Sequence, residues 1–478
     1  MRKTLLLALV VVLGLTCCRS KNNQPKETKL YVATINDMHA NMKAFPKLAY
    51  VVDSLRVAHP DLLLFSAGDN RSGNPFNDRY PEPARPMAEL MKATGFDLSA
   101  FGNHEWDSGL EALRNVVEVS GFPYVCANVT FPDSVNMPCK PYVIFEQNGL
   151  KIGIIGAIQL GLNGQPDFHP KNAGGCTFRP IAEVLPEFLF LRDSCDALFL
   201  LSHCGFEDDM ELAEQFPQLD AIFGGHSHTL VNDNTFSNGV LVTQAMNRIQ
   251  YLTLSTFTFD KDKKLVAKES YNIPIVKVKK VNADIQAMVD EYNNNPVFKE
   301  VVGYNDGAIE DGLESLGSLM ADADRVIAEA DLAFQNFGGV RFDTMSVRPI
   351  TRFDLFSLDP FDNELVVFNM TGQEIVDFLG VSFFTDGGPN FCSGCSYAFS
   401  VDDNGQMQDC KVTLDNGKPL KLDKTYKVVM NSYMSSAFKF EHEDPGTSIF
   451  RTSNEALTEY LTMHPHINYA GVNRIHEQ

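Results

Sequence analysis

From Leu30 to about Asn272, short apolar and β-branched runs alternate with stretches whose apolar positions recur every three or four residues. That alternation predicts strands and helices taking turns, as in an α/β domain. The strand-like runs are Leu30–Ile35, Leu62–Ser66, Leu98–Phe101, Ile152–Ile158, Ala197–Leu201, Ala221–Phe223 and Val240–Gln244. Lys47–Leu55 and Pro86–Thr94 carry the helical spacing, and Gly95 stands where a helix would stop. The domain is bounded at residues 30–275. The character then shifts: Val276–Lys280 leads into a helical stretch, Ala283–Tyr292, ended by Asn293-Asn294-Asn295-Pro296, so residues 276–302 read as a helical connector. A second α/β unit covers 303–478, with a helix at Leu313–Ala330 and strands at Leu332–Gln335, Glu364–Asn369 and Lys424–Met430. Neither half shows an internal repeat.

The amino terminus breaks this pattern. Arg2 and Lys3 precede an apolar run, Leu5–Leu15, that is too short to span a bilayer, so residues 1–18 read as a bacterial export signal. The run ends in Leu15-Thr16-Cys17-Cys18, similar to the lipobox of bacterial lipoproteins, which predicts lipidation at Cys18 and a periplasmic or cell-surface lipoprotein. Residues 19–29 are a polar tether. The eight remaining cysteines lie in a compartment that permits disulfides, with pairing open. Cys392-Ser-Gly-Cys395 has redox spacing, yet it sits in a strand-like stretch with no helix to lower a thiol pKa.

Composition adds a tension. With 478 residues and 44% hydrophobic positions the chain can bury more than one core, but 61 acidic against 40 basic residues give a formal charge of −21. Such a field opposes nucleic-acid polymers and anionic lipid. An anionic substrate would need cations at its site.

Five segments follow strand-like runs and hold metal-ligand residue types: Asn36-Asp37-Met38-His39, Gly68-Asp69-Asn70, Gly102-Asn103-His104-Glu105, Ser202-His203 and Gly224-Gly225-His226-Ser227-His228. In an α/β fold these loops gather at the carboxyl edge of the sheet. Imidazole, carboxylate and amide oxygen suit borderline and hard divalent ions such as Zn, Mn, Fe or Co. An aspartate shared by two ions holds them roughly 3.5 to 4 Å apart, the spacing used for in-line displacement at phosphorus. Two divalent ions, two aspartates and a hydroxide leave a local charge of about +1, which reverses the acidic field where a phosphate would enter. Other histidines read as ordinary: His464 and His466 follow no strand-like run, His442 lies in an acidic turn, and His59 and His169 precede prolines in loops.

In order and type these motifs resemble the calcineurin-like metallophosphoesterases, and more closely the two-domain 5′-nucleotidase family. The resemblance covers nearly all of the chain after its signal. It implies a four-layer α/β/β/α sandwich followed by an α/β substrate-binding domain. It also implies two divalent metal ions, with Asp37, His39 and His228 on one, Asn103, His203 and His226 on the other, and Asp69 bridging. His104 is similar to the family's catalytic histidine, oriented by Asp107; a carboxylate on one ring nitrogen favours the cation, which can stabilise phosphoryl charge or protonate a leaving oxygen. Trp106, between Glu105 and Asp107, reads as packing for that loop.

In the second half, Asn336-Phe337-Gly338-Gly339-Val340-Arg341 resembles the family's NxGGxR segment, so Asn336 and Arg341 are expected to touch a nucleotide. Asp359-Pro360-Phe361-Asp362-Asn363 resembles PFGN, whose phenylalanine stacks on the base. Two departures stand out. The second aromatic is expected at Tyr433, without the family's Gly-Gly-Asp-Gly turn, and no arginine occurs between Arg248 and Arg325, which predicts one missing cation for the substrate. The resemblance also implies that the connector lets one domain rotate against the other. The function implied is release of phosphate from nucleoside monophosphates by in-line attack of hydroxide. A 2′,3′-cyclic phosphodiesterase, a nucleotide-sugar or dinucleotide pyrophosphatase, and a non-catalytic nucleotide-binding surface protein are the alternatives. The expected partner is a small nucleotide; membrane contact is expected only through the lipid anchor, and oligomeric state is left open.

Overall fold

The computed structural model describes residues 27–478 apart from 162, 311, 387 and 403–406. The export signal and Cys18 lie outside the described residues.

Strand β1 (Thr28–Ile35) pairs in parallel with β2 (Leu63–Ser66), and β2 with β3 (Leu98–Ala100). They form the middle of a seven-stranded sheet, flanked on one side by the antiparallel strands Tyr251–Phe259 and Leu265–Pro274. A six-stranded sheet has parallel strands Leu150–Ile158, Ala197–His203, Ala221–Phe223 and Val240–Thr243 at its centre. The sheets stack face to face: Leu30, Val32, Leu63, Phe65 and Leu98 from one meet Ile152, Ile154, Phe199, Leu201 and Phe223 from the other in one buried core. Near-continuous apolar runs are what strands covered on both faces require.

Helices close both outer faces. Helix α1 (Phe45–Ala58) and helix α3 (Arg85–Thr94) bury Phe45, Leu48, Val52, Leu90 and Met91 against the first sheet. Gly95 ends α3 with φ 77°, the left-handed cap that glycine adopts most easily. The helix Phe206–Gln215, with Leu212 and Ala213, covers the second sheet. These are the four layers, α/β/β/α, that the resemblance implied. The connector helix Ala283–Tyr292 does not stand apart as a spacer: Ile285 and Val289 join the α1 and α3 core, and the Asn282 amide N–H donates to the Pro46 carbonyl at 2.8 Å.

The second unit is built on a five-stranded sheet in the order Phe391–Ser393, Leu332–Gln335, Thr425–Asn431, Glu364–Thr371, Thr447–Thr452. Helix Leu313–Ile327 and helix Ser453–Met463 pack beside it through Leu316, Leu319, Met320 and Leu457. No helix among the described residues is long and apolar enough to cross a membrane.

Candidate functional site

Both sheets of the first unit present the carboxyl ends of their parallel strands to one edge, and all five motifs fall there. Glycines let the ligand loops approach. A Cβ on Gly102 would lie 2.2 Å from Asp69 Oδ1 and 2.7 Å from His203 Cε1, and one on Gly225 would lie 2.8 Å from His203 Nδ1 and 3.2 Å from Asp37 Oδ2. Around them Asp37, His39, Asp69, His226 and His228 take positive φ, between 44° and 77°. Non-glycine residues seldom adopt that region, and it clusters at functional sites.

The side chains converge. His39 Nε2 and His228 Nε2 are 2.9 Å apart, and Asp37 Oδ1 lies 3.4 Å from His228 Nε2 and 3.9 Å from His203 Nε2. His203 Nε2 is 3.3 Å from Asp69 Oδ2, and His226 Nδ1 is 3.2 Å from Asn103 Oδ1. Asp37, His39 and His228 form one group able to hold a metal ion, and Asp37, Asp69 and His203 another. Outer contacts aim the rings: His39 Nδ1 meets the Ser72 carbonyl at 3.1 Å and His203 Nδ1 the Ala67 carbonyl at 2.7 Å, so each presents Nε2 to the centre. Asp167 supports the far side, its carbonyl accepting from Asn103 Nδ2 at 2.9 Å and its carboxylate lying 3.6 Å from His226 Nε2.

A cation fits this donor set. Asp37 Oδ1 and His203 Nε2 are buried with no hydrogen-bond partner, although both face several ligand-type atoms. Unpaired buried polar atoms are costly and call for an explanation, and a divalent ion supplies one. Burial opposes charge on His203, but Asp69 and Asp37 outweigh it and push the imidazole up to about 10. Burial keeps His226 neutral, down at about 4, and moves His39 well below its ordinary value, so both present lone pairs. Glu105 accepts from the amides of Asp69 and Asn70 at 2.9 Å and of Gly102 at 2.6 Å, clamping two motifs together.

His104 stands beside this centre, its Nδ1 2.8 Å from Asp107 Oδ2 and its Nε2 3.9 Å from Asp69 Oδ2. Burial disfavours the imidazolium, yet Asp107 and Asp69 raise its pKa above the ordinary histidine value. The Ser72 hydroxyl also donates to Asp107, and Asn172 Nδ2 donates to the Asp107 carbonyl at 3.0 Å. Trp106 is fully buried, stacked on Phe131 and Phe168, as its packing role required.

A cavity of about 640 Å³ joins the two units, lined by Asp69, Asn103, His104, His226 and His228 from one and Asn336, Arg341, Phe361 and Tyr433 from the other. The structure thus brings the thirteen sequence-chosen residues to one region. Arg341 Nη2 is 3.3 Å from His39 Nδ1, and the Phe361 ring stacks on His104 at 5.7 Å and 19°.

Three positions add to what the sequence showed. Arg248, the last arginine before the gap that ends at Arg325, lines the cavity from the first unit and donates through Nη2 to the Arg341 carbonyl at 2.7 Å. His169 lies in a loop, as expected, and lines the cavity there, 3.1 Å from Ser432 Oγ, with burial lowering it to about 4. His442 packs its ring on Phe440 at 4.5 Å instead of lying in a solvated turn. Asp167, Arg248 and His169 belong to no motif. A cation, an acid and an imidazole in loops of the first unit give no periodic or spacing signal.

Comparisons with known proteins agree with this architecture. Residues 30–230 match the calcineurin-like phosphoesterase model, and residues 300–439 match the 5′-nucleotidase C-terminal domain model. A 5′-nucleotidase of Vibrio cholerae is 27% identical over 514 residues, covering 90% of this chain and 89% of that protein. The endonuclease YhcR of Bacillus subtilis is 25% identical over 90% of this chain, which spans only 39% of that protein's length. The crystal structure of a 5′-nucleotidase precursor from Thermus thermophilus superposes with a TM-score of 0.84 at 22% identity, over 94% of this chain and 99% of that one.

Proposed function

Because this chain belongs to the two-domain 5′-nucleotidase family of metal-dependent phosphoester hydrolases, we propose that it releases phosphate from nucleoside monophosphates. The observation that carries the reading is the pair of partnerless buried atoms, Asp37 Oδ1 and His203 Nε2, beside the His104–Asp107 pair and under Arg341 and Phe361. Asp37, His39 and His228 would hold one divalent ion, Asn103, His203 and His226 a second, with Asp69 shared between them. When bound, such ions neutralise the phosphate and activate a water for in-line attack.

The chain's own residues do the rest. Asp107 holds His104 by Nδ1, which leaves the Nε2 proton facing the cavity to stabilise developing charge or protonate the leaving oxygen. Arg341 and Asn336 bind the ribose and phosphate side, and the Phe361 ring stacks on the base, with Tyr433 lining the same space. The amino terminus supports export and lipidation at Cys18.

Purified protein supplied with manganese, zinc or cobalt should release phosphate from AMP. A panel of nucleoside mono-, di- and cyclic phosphates and nucleotide sugars then ranks substrates. Inactivity towards every phosphoester, with Asp69→Ala binding the same ligands unchanged, would overturn the hydrolase reading.

A further inference from the structure

A short helical turn, α2 (Pro75–Asp78), ties the metal loop to the second unit. The Asp78 carboxylate accepts from the amides of Ser72 at 3.1 Å, Gly73 at 2.8 Å and Asn74 at 2.9 Å, which fixes the loop running on from Asp69. The next residue, Arg79, reaches into the other unit. Its guanidinium pairs with the Asp362 carboxylate, lies 3.4 Å from the Pro360 carbonyl and sits 4.6 Å above the Phe356 ring. These three contacts bracket Phe361, whose ring is stacked on His104.

Two other contacts have the same form. Arg248 donates to the Arg341 carbonyl, and His169 meets Ser432, the neighbour of Tyr433. Three side chains of the first unit therefore grip three loops of the second, each at or beside a residue that faces the proposed nucleotide.

We propose that Arg79 is a positioning residue that holds Phe361 in register with His104 when the two units meet, so that base stacking and phosphoryl chemistry are coupled through the loop from Asp69 to Asp78. Its pair is partly exposed, with side-chain accessibilities of 25% for Arg79 and 54% for Asp362. Exposed pairs add little to global stability, so removing this one releases the loop and leaves the fold intact. The identity of the ligand rests on the nucleotidase reading; the physical link between the loops does not.

The test uses full-length Arg79→Met, Asp362→Asn and the double variant. Without ligand, backbone amides of residues 356–363 should exchange hydrogen about fivefold faster in Arg79→Met, the upper end for an exposed pair, while those of 425–431 are unchanged. The KM for AMP should rise about fivefold, the same loss read by binding, while p-nitrophenyl phosphate, which has no nucleobase, keeps its kcat. The double variant should be no worse than the poorer single one, since both remove the same contact. Unchanged exchange, additive losses, or equal losses on both substrates would overturn the proposal. Faster exchange in a protein whose wild type ignores AMP would instead overturn the nucleotidase reading and leave Arg79 in its role.

Discussion

Gly102→Ala isolates the demand that the metal centre makes on the backbone. Gly102 has φ −101°, open to any residue, so alanine brings no conformational penalty and its only effect is a new methyl group. That methyl would sit 2.2 Å from Asp69 Oδ1, 2.6 Å from the Asp69 nitrogen and 2.7 Å from His203 Cε1, where real contacts of this kind do not fall below 3.0 Å. The carboxylate proposed to be shared by two ions must therefore retreat by roughly 0.8 Å. Overpacking of this kind costs about 1–3 kcal/mol of stability, and a misplacement near 1 Å at a reacting centre costs on the order of 10²-fold in rate. Phosphate release should thus fall on the order of 100-fold, with metal content by mass spectrometry below that of the wild type. Gly380→Ala is the control, since nothing lies within 4 Å of its added carbon. A Gly102→Ala protein with full metal content and turnover within threefold of wild type would refute the reasoning.

Other outcomes follow from the same geometry. His104→Ala should lower turnover by about 10²–10⁴-fold with metal content intact; loss of metal would make His104 a ligand, which its 3.9 Å approach to Asp69 allows. Chelation should abolish phosphate release and lower thermal stability, and an ion supplied at a hundred times its Kd should return about 2.7 kcal/mol per site, read as a rise in Tm. Asp322 is half-buried, which would raise its pKa, but Arg474, Ser393 and Tyr469 hold it below the ordinary carboxylate value. Its stabilisation is complete above the unfolded value and fades as pH falls through the folded one. Asp322→Asn should therefore cost about 1.5–3 kcal/mol at pH 7 and progressively less below about pH 4 in denaturant titrations. An equal deficit at both ends would refute the assignment.

The motifs were legible because each candidate ligand directly follows its strand, where local order is enough to place it. Ser202-His203 ends one strand, and Asp37, Asp69, Asn103 and His226 each come within three residues after another. The helix and strand periods likewise located the core, from α1 to the connector helix. Sequence could not show that the connector helix is buried against α1 and α3, since its amphipathic face is the same whichever surface it covers. Arg79, His169 and Arg248 were illegible for a related reason. Their partners lie 283, 263 and 93 residues away, across the cavity between the units. Nothing local distinguishes them from surface side chains. The stretch from 249 to 324 does lack arginine, but position along the chain does not show that Arg248, just before it, reaches the cavity.

Strained backbone and partnerless buried atoms meet at the site, although neither is confined to it. Five of the seven proposed metal residues are non-glycine positions at positive φ, and Asp37 and His203 hold partnerless buried atoms beside them. Each such feature costs on the order of 1–3 kcal/mol unless something offsets it. Beneath these loops the stacked sheets of the first unit bury apolar cores, so the strain is carried by the sheets and not by the loops themselves. A bound cation acts only on the folded arrangement, because the unfolded chain does not bring Asp37, Asp69 and His203 together. Ion binding and the strained loops would therefore be two sides of one equilibrium. Two divalent ions held there would set a local excess of about +1 against the net charge of −21, at the place where an anionic substrate would enter.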